Sequence, residues 1–241
     1  MDWLSFVIDA YWGPRSEAPP EIATRVLRMT EALGALDPLL ESWWVADLVE
    51  QDFVPLARVK PRLVQIVADR VYRDDFDEPE PSSGYHCTLR NVYDDRPEIL
   101  EVSVEAGVGR VPDQVSNVVT ISTSRRLPPD PRLVAYPFVK SVFRVMIETF
   151  GATAVTGSYH AQLVDPVFSD RLFGPAWMVY LSARNAARMV LPPAGLIERT
   201  EDGGLLMSAT ERSFDLNDPE HIAAARAISD ALLPINDRGS L

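Results

Sequence analysis

Ile99-Leu100-Glu101-Val102-Ser103-Val104-Glu105-Ala106 is the stretch on which the reading of the whole chain turns. Leu100, Val102, Val104 and Ala106 alternate with Ile99, Glu101, Ser103 and Glu105, and successive side chains of a strand point to opposite faces. One face of this strand is therefore expected to be buried and the other to meet water. Just upstream, Tyr85 to Val92 reads as a second strand, joined to it through Asp94-Asp95-Arg96-Pro97 as a hairpin with a longer loop. Just downstream, Asn117 to Thr123 reads as a third.

Toward the N-terminus the period changes. Arg73 to Gly84 is acidic and rich in Pro, Ser and Gly, which predicts an exposed loop. Ahead of it the spacing predicts three helices. The first runs from about Glu21 to Leu33, on Ile22, Val26, Met29 and Leu33, and stops at Gly34. The second is capped by Asp37, with Pro38 at its first position, and carries Leu40, Trp43, Trp44 and Leu48. The third covers Pro61 to Val71. The chain opens with a strand, Trp3 to Ala10, whose Leu4, Phe6, Ile8 and Ala10 share a face.

Toward the C-terminus, Arg125 to Pro131 is a proline-rich connection. A long helix then runs to about Phe150, with Phe138, Val142, Val145 and Thr149 on one stripe and Gly151 as its stop. Strands follow at Thr153 to Ser158 and Trp177 to Ser182. A hairpin pairs Leu196–Thr200 with Leu205–Ala209, and a final helix capped by Asp218 begins at Pro219 and ends before Pro234. The order β-ααα-βββ-α-ββββ-α predicts an α+β fold, a mixed and mostly antiparallel sheet with helices packed against it. The early helices need the later sheet to bury their apolar faces, so residues 1–241 are read as one domain.

Charge narrows the functional classes. Lys and Arg number 23 and Asp and Glu 35, a net charge of −12. Such a field repels phosphate backbones, so direct nucleic-acid binding is not expected, whereas a basic protein partner is drawn in. One cysteine, Cys87, permits no internal disulfide and fits a reducing compartment. The first residues lack a positively charged leader, and no run of about 18 apolar residues occurs. A cytoplasmic protein without a membrane span is expected.

Residues able to carry chemistry are few. The histidines are His86, His160 and His221. His86 and Cys87 are adjacent in a strand and so point to opposite faces, which rules them out as a shared metal site by themselves. Ser158-Tyr159-His160 with Asp165 has the residue types of a hydrolytic site, but no Gly-x-Ser-x-Gly elbow surrounds Ser158. His221, in the first turn of the last helix, is expected to be solvated. Gly107-Val108-Gly109 lacks the third glycine and the helix of a dinucleotide fingerprint. Asp74, Asp75 and Asp77 lack the twelve-residue ligand spacing of a dedicated calcium loop. No catalytic residue, metal or cofactor is assigned, and the chain reads as a binding module with Trp12, Trp43, Trp44 and Trp177 as its conspicuous aromatics.

Several segments together resemble the immunity protein 52 family. They are Tyr11-Trp12-Gly13-Pro14-Arg15 after the opening strand, Leu36-Asp37-Pro38-Leu39-Leu40 with Trp43-Trp44, Asn117-Val118-Val119, and Gly174-Pro175-Ala176-Trp177-Met178-Val179-Tyr180-Leu181. The resemblance spans roughly Trp3 to Leu233, and its most specific part is the Trp-Gly-x-Arg turn at 12–15. It implies a protein of bacterial polymorphic toxin systems that binds and neutralises a cognate toxin. The toxin would often be a nuclease with a restriction-endonuclease-like domain, delivered by type VI secretion, and its basic cleft would suit an acidic inhibitor.

Within the matching segments Trp12, Gly13, Arg15, Trp43 and Trp177 are expected to be structural, with Gly13 in an unusual backbone conformation and Arg15 holding a carboxylate. The toxin-binding residues are expected in the acidic loop, at Asp74, Asp75, Phe76, Asp77 and Glu78, where Phe76 is an apolar anchor amid charge. Two other readings stay open. One is a secretion adaptor or chaperone for a toxin; the other is a hydrolase using His86 or His160.

Overall fold

A computed structural model describes residues 5–109, 117–159 and 174–235. Its strands are β1 (Phe6–Trp12), β2 (Trp44–Asp47), β3 (Asp52–Pro55), β4 (Tyr85–Arg90), β5 (Leu100–Ala106), β6 (Asn117–Thr123), β7 (Ala154–Tyr159), β8 (Met178–Leu181), β9 (Leu196–Arg199) and β10 (Leu205–Ser208). They form one sheet in the order β3-β2-β4-β5-β6-β1-β7-β8-β10-β9. Every pairing among them is antiparallel, so the expected parallel component is not found among the described residues. The helices are α1 (Pro19–Gly34), α2 (Leu56–Val59), α3 (Leu63–Ala68), α4 (Tyr136–Phe150), α5 (Ala183–Ala186) and α6 (Pro219–Ala231). The fold class is α+β.

β1 holds the centre of the sheet between β6 and β7. Phe6, Ile8, Ala10 and Trp12 all point to one face and are buried there. α1 lies over that face and buries Ile22, Val26, Met29 and Leu33, the residues whose spacing predicts it. Each such side chain contributes about 1.5–3 kcal/mol when fully removed from water. α3 and α4 pack beside α1. The stripe that α4 buries is Val139, Val142, Phe143, Val145, Met146 and Phe150. Phe138 and Thr149 are only half-buried, so the stripe is rotated from the expected one, because α4 must meet both α1 and the β1–β7 pair.

The helix expected to carry Trp43, Trp44 and Leu48 is not formed. Asp37 does cap a turn, accepting from the Leu39 N–H at 2.9 Å, but that turn ends at Leu40. The Trp43 indole N–H donates to the Leu40 carbonyl at 2.7 Å, which is the acceptor a continuing helix would offer to the Trp44 N–H. The chain instead leaves in an extended path, and Trp44–Asp47 pairs with Asp52–Pro55 as a hairpin at the sheet edge.

The other face differs between the two halves of the sheet. On the C-terminal half, Ala154, Val179, Leu181 and Met207 form a second core with Ile228 of α6 and with Leu232 and Ile235 just beyond it. There β7, β8 and β10 are buried at every residue. On the N-terminal half the same face carries Val7, Asp9, His86, Thr88, Arg90, Ser103, Glu105, Thr120 and Ser122, all half-buried, and the exposed Glu101. The alternation that opened the reading of β5 is the local form of this: Leu100, Val102, Val104 and Ala106 are buried and Glu101 faces solvent.

Candidate functional site

The Trp-Gly-x-Arg turn is built into the joint between β1 and the end of α4. Trp12 stacks on Phe150 at 5.2 Å between ring centroids, and the Arg15 guanidinium lies over Trp12 at 5.4 Å. Arg15 donates to the Phe150 carbonyl at 2.9 Å and pairs with Glu17 at 3.1 Å. Arg25 of α1 donates to the other Glu17 oxygen at 2.5 Å and reaches the Thr149 carbonyl. One buried carboxylate thus holds two guanidiniums against the last carbonyls of a helix, where positive charge complements the helix dipole and fills orphan acceptors. Glu17 was not a candidate in the sequence; the Arg-x-Glu spacing at 15–17 was its signal.

Gly13 departs from expectation. It is not among the glycines with positive φ, and its carbonyl accepts from the Asn117 side chain at 2.9 Å. The left-handed turn belongs instead to Gly107, at φ +92°, where a Cβ would stand 2.9 Å from the Glu17 carbonyl. Trp43 and Trp177 are both buried, and the Trp177 indole donates to the Thr210 carbonyl at 2.9 Å.

The acidic segment is an ordered hairpin. Asp74 is its hub: its carboxylate accepts from the N–H groups of Phe76 and Glu78, each at 2.9 Å, and its own N–H donates to the Glu78 carbonyl at 3.0 Å. Asp77 takes a left-handed φ of +62°, and Arg73 donates to its carbonyl at 2.6 Å. The turn thrusts Phe76 into solvent at 85% exposure. Asp75, Asp77 and Glu78 surround it without being drawn into a common ligand set.

The histidines divide. On the open sheet face, His86 Nε2 lies 3.0 Å from Ser103 Oγ and 3.2 Å from Thr88 Oγ1. Burial lowers the His86 pKa, against the pull of the neighbouring Glu105 carboxylate. Behind it Cys87 is buried, and its thiol is pushed up to about 12. His221 is buried rather than solvated, because its ring packs on Phe214 at 5.5 Å and its Nδ1 accepts from the Asp215 N–H at 3.0 Å. Ser158 is buried as well, while His160 and Asp165 lie outside the described residues.

A further group stands at the edge of the open face. The Arg90 guanidinium lies over the Phe53 ring at 3.7 Å and beside the Tyr93 ring at 4.9 Å. The Tyr93 hydroxyl donates to Asp52 at 2.7 Å, which holds the Asp52 carboxyl below its ordinary range. Next to it Leu48, Arg70, Tyr72, Arg73, His86 and Glu105 line a shallow depression that leads to the root of the acidic hairpin. Sequence reasoning missed this group because it placed Trp44 in a helix and therefore never brought Phe53 beside β4.

The sequence matches the immunity protein 52 family over residues 5–235. No curated protein matches it. Among solved structures, the Pseudomonas aeruginosa T6SS protein PA0821 superposes with a TM-score of 0.56 at 10% sequence identity, over 96% of this chain and 76% of that one. At that identity the likeness shows a shared fold.

Proposed function

Since the chain belongs to the immunity protein 52 family, we propose that it binds a cognate toxin stoichiometrically and neutralises it in the cytoplasm of the producing cell. The observation that carries this reading is the extent of the family match, which takes in β1, the acidic hairpin and α6 alike. The whole sheet with its helices is then one immunity unit. The toxin we envisage is a nuclease with a basic cleft, delivered by type VI secretion. The charge of −12 supports that choice, because an acidic inhibitor associates fastest with a basic target. The shared fold with a T6SS protein supports the setting. In this reading Trp12, Gly13, Arg15, Trp43 and Trp177 maintain the scaffold, and Asp74, Asp75, Phe76, Asp77 and Glu78 meet the toxin.

A hydrolase built on His86 is the second reading, and the 3.0 Å contact to Ser103 is what favours it. It is the weaker one. The pair lies on a sheet face where the β4–β5 ladder occupies the surrounding backbone N–H groups, whereas acyl transfer needs free donors for the developing oxyanion.

The test is co-expression with the toxin-like product of the adjacent reading frame, scoring survival and co-purification together. Rescue with a stable complex is expected. Binding without rescue would indicate a secretion adaptor, and neither result would return attention to His86, through assay of the His86→Ala variant for lost turnover.

A further inference from the structure

Three features converge on one surface. First, among the described residues β7, β8 and β10 are buried on both faces, whereas β4, β5 and β6 bury alternate residues and turn the rest outward. A face this wide, polar and unsealed suits a protein partner better than a small ligand, which needs a concave pocket.

Second, the edge of that face carries the residue types that dominate interface energetics. Arg90 is held over Phe53 and beside Tyr93 and makes no ion pair among the described residues. Its Nε is buried without a hydrogen bond, and the same holds for Arg70 Nε in the neighbouring depression. A guanidinium fixed by ring stacking loses little freedom when it engages a carbonyl or carboxylate, so the cost of ordering it has already been met within the fold.

Third, the face carries carboxylates beside its guanidiniums and is continuous with the acidic hairpin. Glu101 and Glu105 stand on β5, and Arg73 links the depression to the turn that presents Phe76. The β2–β3 turn adds Leu48, 51% exposed, to the lining of the depression.

We propose that the face of β4, β5 and β6 that no described helix covers, anchored by Arg90 on Phe53 and Tyr93, is the surface that receives the toxin. The toxin's matching surface carries an excess of Lys and Arg facing Glu101 and Glu105, and sets a carbonyl or carboxylate oxygen on Arg90. This assignment rests on the toxin-binding reading above. It places the acidic hairpin at the rim, where charge steers approach, and puts the centre of the interface on the sheet.

The test compares variants in the purified complex with the toxin encoded beside the gene. Arg90→Ala removes the anchor, and Glu101→Arg reverses charge at a solvent-facing strand position that tolerates a long side chain. Glu148→Arg makes the same charge change on the exposed side of α4. Circular dichroism and thermal unfolding check that each variant is folded. Loss of affinity by at least about 30-fold for Arg90→Ala and Glu101→Arg is expected, with Glu148→Arg binding as wild type. A wild-type complex that Glu101→Arg leaves intact overturns the surface assignment alone. A wild-type chain that does not bind the toxin overturns the toxin-binding reading and this assignment with it.

Discussion

Arg15 donates to the carbonyl oxygen of Phe150 at 2.9 Å, joining residues 135 positions apart in the chain. The bond ties the turn after the central strand to the C-terminus of the helix that covers it. Gly151, in the left-handed conformation at φ +66°, ends that helix and leaves its last carbonyls facing the two guanidiniums that Glu17 aligns.

Glu17→Ala should therefore destabilise the fold. It removes the carboxylate from between Arg15 and Arg25 and leaves both cations beside the helix end without their shared counter-charge. Breaking a buried ion pair costs about 3–5 kcal/mol. Both arginines are roughly one-third exposed, which lowers the expectation to about 2–3 kcal/mol. Urea unfolding should show a lower midpoint with an unchanged slope; an unchanged midpoint would mean the cluster is decorative.

Asp9 should make stability fall with rising pH. Burial raises its carboxyl pKa, with a smaller push in the same direction from Glu105, while hydrogen bonds from Thr120 and Tyr11 oppose the shift. Between the ordinary carboxylate range and the raised value, the folded chain keeps a proton that the unfolded chain has released. Stability in that window therefore declines as pH rises. Asp9→Asn still accepts from Thr120 and carries no charge. The stability of wild type minus that of Asp9→Asn should fall as pH rises above the ordinary carboxylate range, and a flat difference would contradict the assignment.

Cys87 should be chemically silent in the native state. It is 1% exposed, and burial pushes its thiol up to about 12, so thiolate is scarce at neutral pH. Native protein mixed with a maleimide or an aromatic disulfide should not react, and labelling should rise along the urea unfolding curve. Fast labelling without denaturant would reveal local opening of β4.

The acidic hairpin should govern how fast a partner arrives. Asp74→Asn, Asp75→Asn, Asp77→Asn and Glu78→Gln together remove four charges and keep the acceptor on which the turn depends. Asparagine also tolerates the left-handed backbone at position 77. Association with the toxin should slow by roughly tenfold at low salt, and raising salt from 50 to 500 mM should slow wild type more than the variant. Stopped-flow rates that are equal for the two proteins would remove the hairpin from the encounter.

Most elements were legible because their signals are local. The α1 stripe, the Asp218 cap, the Gly151 stop and the alternation of β5 all sit within a few residues of sequence. The Trp43-Trp44 region was misread because Asp37-Pro38 is a true helix start, and the competing indole bond from Trp43 to Leu40 arises only when the side chain folds back. His221 was misjudged because the loop just before its helix folds back on it, packing Phe214 against its ring and donating the Asp215 N–H to its Nδ1.

The sequence by itself determined the fold class, the family and the acidic character. These follow from periodicity, capping residues, charge and short motifs, none of which needs a distant partner. Only the tertiary structure decided the rest: that β1 sits at the centre of the sheet, that Glu17 unites Arg15 and Arg25 at the end of α4, and that Arg90 meets Phe53. Each of those is a contact between segments far apart in the chain. Period and propensity say which side of a strand is buried, but not which strand lies beside it.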